Sequence, residues 1–82
     1  MNYSTKLQIR FERLIYERCQ KFNNAYSAWR TTLAKELGCT TSELDELIAF
    51  SIDTGFINVR ENISVELNGY RPIVFSLCNN NN

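Results

Sequence analysis

The stretch LAKELGCTTSELDELIAF, Leu33 to Phe50, decides the fold of this 82-residue chain. Its first part places apolar residues four apart, which is typical of one face of a helix, and Gly38 is positioned to end that helix in a left-handed conformation. Thr40 and Glu43 match the S/T-x-x-E pattern of a capping box, where a new helix begins. The stretch therefore predicts two helices separated by a tight turn.

The helix that follows Thr40 has one apolar side and one acidic side. Its predicted buried stripe consists of Leu44, Leu47, Ile48 and Ile52. The residues predicted to lie away from this stripe are Glu43, Asp45, Glu46 and Ala49. Gly55 is predicted to end the helix, with Phe56 folding back onto its last turn. Three carboxylates therefore face outward from this helix.

Two further helices are predicted upstream. The first begins at Ser4 or Thr5, either of which can cap it, and ends near Phe22. Its core stripe, at spacings of three, four and seven, consists of Leu7, Phe11, Leu14, Ile15 and Phe22. The second helix is predicted from about Ser27 to Leu37, after a turn at Asn23 and Asn24. Its inner side consists of Trp29, a predicted core anchor, with Leu33 and Leu37.

Two exposed features mark the first helix. Ile9 and Tyr16, seven residues apart, project away from the core stripe and are candidates for a homodimer or partner contact. A neighbouring basic face carries Lys6, Arg10, Arg13 and Lys21. We interpret this basic face as a solvated flank rather than a track for phosphates.

The apolar period changes to two after Gly55, which indicates strands. FINVR, residues 56–60, and ISVEL, residues 63–67, alternate as half-buried strands do. Asn68-Gly69 then predicts a hairpin turn into a last strand over residues 70–77, and Pro72 indicates an edge position or a bulge there. The expected domain spans residues 1–78, followed by a disordered asparagine tail at 79–82.

Three helices followed by a hairpin resemble a winged helix-turn-helix. The resemblance is most specific between Leu33 and Leu47: Ala34 stands where the two helices of the motif nearly touch, and Gly38 stands in the turn. Leu44 and Leu47 occupy the places where aliphatic residues hold the second helix of the motif. The implied fold is α+β, with three helices and either a C-terminal antiparallel β-hairpin or a small three-stranded sheet.

The resemblance implies a small regulator that binds duplex DNA through the start of the third helix and through the wing, which is the hairpin loop. The candidate DNA-binding residues are Thr40, Thr41, Ser42, Arg30, Lys35, Arg60 and Arg71. Thr40 to Ser42 can bond bases or phosphates, and the arginines can contact phosphates. For Arg60 and Arg71, pairing with Glu61 and Glu66 is an alternative.

A second function stays open because winged helices also serve as protein-docking modules. Its candidate residues are the acidic set Glu43, Asp45 and Glu46, together with Ile9 and Tyr16. Acids on the third helix would repel DNA, which is a polyanion, and DNA affinity normally needs several lysine or arginine contacts. In this alternative the third helix docks on a basic protein surface, mimics nucleic acid, or pairs with the first helix of another copy.

Charge is unevenly distributed although the net charge is zero. Residues 1–38 carry seven lysines and arginines against three glutamates, whereas residues 39–57 carry four acids and no base. The chain has no histidine and no glycine-rich phosphate loop, so we expect no enzyme, no metal and no cofactor. Cys19, Cys39 and Cys78 are expected to be reduced thiols. Without an apolar run of membrane-spanning length or a signal peptide, we expect an intracellular, cytoplasmic protein.

Overall fold

A computed structural model describes residues 5–78 as three helices and three strands. The elements in chain order are α1 (Thr5–Lys21), β1 (Tyr26–Ala28), α2 (Arg30–Leu37), α3 (Thr41–Asp53), β2 (Ile57–Glu61) and β3 (Ile73–Leu77). The predicted α+β fold of three helices with a small antiparallel sheet is confirmed. Two predictions, the cap at Ser4 and the disordered tail at 79–82, concern residues outside the described part.

The sheet has the strand order β1-β3-β2, and both pairings are antiparallel. Tyr26 lies opposite Phe75 on one side of β3, and Val59 lies opposite Phe75 on the other. β1 was not predicted, because the second helix was expected to begin at Ser27. In fact Tyr26–Ala28 is extended, and α2 begins only at Arg30.

The core lies between the three helices and one face of the sheet. Its fully or nearly fully buried residues are Phe11, Ile15, Cys19, Leu33, Ala34, Leu37, Leu44, Leu47, Ile48, Ile57 and Phe75. The prediction that Phe22 belongs to this core is wrong: it lies after the end of α1, is 52% exposed, and stacks on Tyr26. Cys19 takes the last core position of α1 instead. Its Sγ lies 3.5 Å from the carbonyl oxygen of Phe75, to which it donates.

A small polar cluster joins α1 to α3 inside this core. The Gln8 Nε2 donates to the Ser51 Oγ at 2.9 Å and to the Glu12 Oε2 at 2.8 Å, and the Ser51 Oγ donates to the same carboxylate at 2.8 Å. Ser51 is fully buried, whereas Ile52, predicted for the buried stripe, is 41% exposed. The prediction for Ile52 is therefore wrong, since the helix turns its serine toward α1.

A further correction in the helices concerns Trp29. It precedes α2 as its N-cap residue with an extended backbone, and its side chain is half-buried outside the core cluster. It is therefore not the predicted core anchor. Gly55 does end α3 as expected, with φ +80°, and the Phe56 N–H donates to the Ser51 carbonyl at 2.9 Å. This bond folds Phe56 back onto the last turn of α3.

The C-terminal region also differs in part from the prediction. β2 overlaps the predicted FINVR segment but begins and ends one residue later. ISVEL is not a strand, and β3 begins at Ile73 rather than Tyr70. Asn68 and Gly69 form the expected tight turn, with φ +54° and +82° and reciprocal backbone bonds of 2.9 Å between Leu67 and Tyr70. Pro72 precedes β3, which is the central strand, so the predicted edge position is wrong.

Candidate interaction surface

The helix-turn-helix geometry is built by two local devices. Gly38 has φ +74°, and the N–H groups of Gly38 and Cys39 donate to the carbonyls of Lys35 and Ala34 at 3.1 and 3.0 Å. In the capping box, the Glu43 N–H donates to the Thr40 Oγ1 at 3.0 Å, and the Thr40 N–H donates to the Glu43 carboxylate at 2.9 Å. Both devices are as predicted. They place α3 across the end of α2.

We call the surface formed by the first turn of α2, the exposed side of α3 and the loop 62–72 the recognition face, and the loop itself the wing. Thr40 and Glu43 contribute less to this face than expected, because each is bonded to the other in the capping box. Ser42 is exposed, and Thr41 is half-buried. Of the three candidate hydroxyls, those two remain available for contacts.

Arg30 and Asp45 are paired across the two helices of the motif. The Arg30 Nε and Nη2 donate to the two carboxylate oxygens of Asp45 at 2.8 and 2.5 Å. These hydrogen bonds are the largest cause of a raised pKa for the Arg30 guanidinium and a lowered pKa for the Asp45 carboxyl group. Arg30, a predicted DNA-binding residue, and Asp45, a predicted protein-docking residue, thus neutralise each other's charge.

Arg71 is paired as well. Its Nη2 lies 3.0 Å from the Glu66 Oε1, so the alternative in which the wing arginine pairs with glutamate is confirmed for this residue. Arg60 is exposed on β2 and forms no ion pair with any residue between 5 and 78. Lys35 is exposed on α2 and is likewise without an ion pair in that range.

Carboxylates outnumber cations around the recognition face. The face and the adjoining β2 carry three arginines, Arg30, Arg60 and Arg71, and six acids, Glu43, Asp45, Glu46, Asp53, Glu61 and Glu66. Glu46 is exposed and forms no ion pair among the described residues. The arginine-to-acid balance is therefore unfavourable for a polyanionic ligand.

The wing is ordered by its own hydrogen bonds but covered with apolar side chains. The Asn62 Oδ1 accepts from the Ser64 N–H at 3.1 Å, and the Asn62 N–H donates to the Pro72 carbonyl at 2.9 Å. The exposed apolar residues between these anchors are Ile63 (76%), Val65 (42%), Leu67 (61%) and Tyr70 (73%). Hydrogen bonds thus hold the ends of the wing while these four apolar side chains stay exposed.

A groove of about 760 Å³ separates the wing from the first turn of α2. Its apolar lining consists of Trp29, Leu67, Tyr70 and Ile73. Its charged lining consists of Arg30, Glu61 and Arg71. Sequence reasoning missed this groove, because the alternation in ISVEL was assigned to a strand with one face buried. The exposed Asn68-Gly69 turn was the signal that located the wing tip.

The other candidate residues lie away from the recognition face. Ile9 and Tyr16 are 54% and 49% exposed on α1, as the sequence predicted. Arg18 forms a bidentate pair with Glu36 and also donates to the Tyr26 hydroxyl at 2.8 Å, so it fastens α1 to α2 and β1. The bond to Glu36 is the main cause of the raised pKa of Arg18 and the lowered pKa of Glu36.

The three cysteines are free thiols, Cys19 buried and the other two half-buried. Burial is the main cause of the raised pKa values of Cys19 and Cys39, which keeps both thiols protonated and weakly nucleophilic. Residues 5–78 contain no group of three or more cysteines and acids that could hold a metal ion. Within the same range, no helix has the length and apolar character needed to cross a membrane.

Comparisons with protein-family models, with curated proteins and with solved structures give no match for this chain.

Proposed function

We propose that this chain is a non-enzymatic docking module of winged-helix type that binds a protein partner through its recognition face. The observation that carries the proposal is the apolar wing beside arginines that are already paired. Ile63, Leu67 and Tyr70 are each more than 60% exposed, whereas Arg30 and Arg71 are held by carboxylates. A surface of this kind favours apolar burial over binding of phosphate.

The wing has the properties of a protein-binding surface. Exposed apolar patches on small soluble domains mark sites of interaction, and aromatic residues are enriched at their centres. Tyr70 combines a large apolar ring with a polar hydroxyl, and it stands beside a groove lined by Trp29. A partner side chain that entered the groove would bury apolar surface on both walls.

The charges around the patch define the chemistry of the partner. Glu46 is exposed and unpaired among the described residues, and Glu61 lines the groove. A complementary partner surface is therefore apolar at its centre and basic at its rim. Such a rim would be attracted to the acidic α3 during association and would lose that attraction at high salt.

Duplex DNA is the second candidate ligand, supported by a specific observation. Arg30 neutralises Asp45, so one of the acids that oppose DNA carries no free charge on the reading helix. Thr41 and Ser42 lie in the first turn of α3, where side chains of DNA-binding winged helix-turn-helix proteins contact DNA. Lys35 and Arg60 would be the cations available to phosphates without breaking an ion pair.

One photo-crosslinking experiment separates the two ligands. Tyr70 is replaced by benzoylphenylalanine, which preserves an exposed aromatic ring, in cells that naturally produce the chain. We expect a protein adduct that is lost when Leu67→Ser is added, because that change removes part of the same apolar patch. The protein found in the adduct is then purified and titrated with the chain that has Leu67 and with the chain that carries Leu67→Ser. A matched control carries the probe at Phe22, an exposed aromatic residue outside the recognition face.

The opposite result is equally clear. An adduct with nucleic acid that survives Leu67→Ser and disappears with Arg60→Gln would replace protein docking by DNA binding. In that case the purified chain must also bind mixed-sequence duplex at low salt, with affinity falling steeply as salt rises. Absence of such binding, together with the protein adduct, supports the docking module.

A further inference from the structure

α1 carries a second stripe of residues that no element between residues 5 and 78 covers. Five exposed residues follow one another at spacings of three, four, three and four: Lys6, Ile9, Arg13, Tyr16 and Gln20. Side chains at this alternating spacing of three and four line the contact between two helices that pack lengthwise. We call it the α1 seam. Its two apolar members are large and half-exposed, and its two charged members are basic.

α3 carries a seam of the opposite character. Four exposed residues stand at spacings of four, three and four: Ser42, Glu46, Ala49 and Asp53. We call this the α3 seam. Two of its members are acids and the other two are small, so a facing helix could approach closely and insert large side chains. None of the four forms an ion pair within residues 5–78.

The two seams match when the helices run antiparallel. At successive positions along the two helices, Lys6 then faces Asp53, Ile9 faces Ala49, Arg13 faces Glu46, and Tyr16 faces Ser42. Every base then faces an acid, and every large apolar side chain faces a small one. Antiparallel alignment also sets the two helix dipoles head to tail. Arg13 has no ion pair among the described residues, so forming the match breaks no existing pair.

We propose that the partner of the α3 side of the recognition face is a second copy of this chain, which docks its α1 seam there. This inference rests on the proposed protein-docking function and names its partner for that side. The seams lie on different helices, so a two-fold dimer would contain the contact twice and a head-to-tail array once per copy. Ile9 and Tyr16 supply the apolar contacts, and the paired charges fix the register.

Charge reversal tests the register directly by sedimentation equilibrium. Arg13→Glu and Glu46→Arg should each weaken self-association about tenfold or more, because each opposes two like charges in every contact. An equimolar mixture of the two variants should restore association, since the acid introduced in one chain then faces the base introduced in the other. Lys35→Glu, an exposed reversal outside both seams, serves as the matched control and should change nothing.

Circular dichroism first establishes native helix content for both chains. The mixture then decides the outcome, because the two changes that weaken association separately restore it together. Association that is unaffected by either reversal, a mixture that stays monomeric, or a wild-type chain that is monomeric at millimolar concentration overturns the inference. The wing controls separate this result from the proposed function. A monomeric chain that still gives the Leu67-dependent protein adduct loses the second-copy partner and keeps the docking module.

Discussion

A single ion pair makes two predicted site residues less available to a ligand. Arg30 and Asp45 were candidates for different ligands, yet they bond to each other across the turn of the motif. Both side chains are about half exposed, so the pair contributes little to folding stability, less than about 1 kcal/mol. Its larger effect is electrostatic, because it removes one cation and one anion from the recognition face. Glu46 and Asp53 are then acids on α3 that a partner can engage without breaking an ion pair among the described residues.

The pair predicts a specific response to substitution at Arg30. In the Arg30→Gln chain, the pKa of Asp45 should rise toward its ordinary value, because the hydrogen bonds that lower it are gone. The pKa of Glu36 should stay lowered, since its partner is Arg18. Carboxyl carbon chemical shifts measured by NMR during an acid titration report both residues in one sample. Glu36 thus serves as the internal control.

The same linkage fixes how stability depends on pH. A carboxyl group whose pKa is lower in the folded state stabilises the fold fully above its ordinary pKa, about 4, and loses that contribution as pH falls through the folded value. The acid limb of the urea-unfolding profile should therefore be shallower in Arg30→Gln than in the wild-type chain. An Asp45 pKa that is unchanged by Arg30→Gln would contradict the pair.

At the scale of elements, local patterns predicted the helices and missed what depends on distant partners. Gly38 and the capping box act within a few residues, so the turn and α3 were readable from sequence. β1 has three residues, and only its pairing with β3 makes it a strand. Cys19, rather than Phe22, reaches the core because α1 ends and the chain turns before Phe22. The pairing of β1 leaves no periodic signal, whereas Cys19 follows Phe11 and Ile15 at the helical spacing of four.

The candidate site was predictable to the same extent. The α1 and α3 seams follow from helical spacing, and the exposure of Ile9 and Tyr16 was expected. The groove was not, because it depends on where the wing lies relative to Trp29. The Arg30–Asp45 pair was also beyond a sequence pattern, since it joins residues whose distance is set by the packed fold, whereas the Arg71–Glu66 pair was an alternative that the sequence offered. An alternating segment such as ISVEL does not itself say whether a neighbouring strand exists.

The loop between α1 and β1 yields a prediction at the element scale. Continuing the β1–β3 register places residue 24 opposite Leu77, and the Asn24 side-chain amide takes the place of a backbone rung there. Its Oδ1 accepts from the Leu77 N–H at 2.6 Å, and its Nδ2 donates to the Leu77 carbonyl at 3.2 Å. Asn24→Ala should therefore lower the free energy of unfolding measured in urea.

The neighbouring asparagine provides a matched control. Asn23 and Asn24 both have φ +61°, so alanine suffers the same left-handed strain at either position. We expect Asn24→Ala to cost about 1 kcal/mol more than Asn23→Ala, the net value of an exposed hydrogen-bonded amide. Equal losses at the two positions would mean that the amide bridge to β3 contributes nothing.

Across the whole molecule, the zero net charge hides two opposed surfaces. Part of the basic excess of residues 1–38 is neutralised by the acidic segment, because Arg30 pairs with Asp45. The unpaired remainder, judged over the described residues, includes Arg13 on α1 and Glu46 on α3. The proposed docking function rests on this separation of a basic and an acidic helix and on the apolar wing.

The last prediction concerns the exposed apolar residues of the wing, which should contribute little to the free energy of unfolding. The triple variant Ile63→Ser, Leu67→Ser, Tyr70→Ser should keep the free energy of unfolding within about 0.5 kcal/mol of wild type, since all three side chains are mostly exposed. Leu47→Ala, which empties a fully buried position, should cost about 2–5 kcal/mol. Urea unfolding followed by circular dichroism measures both. If the triple variant were destabilised as much as Leu47→Ala, the wing residues would be structural, and their exposure could no longer support a docking function.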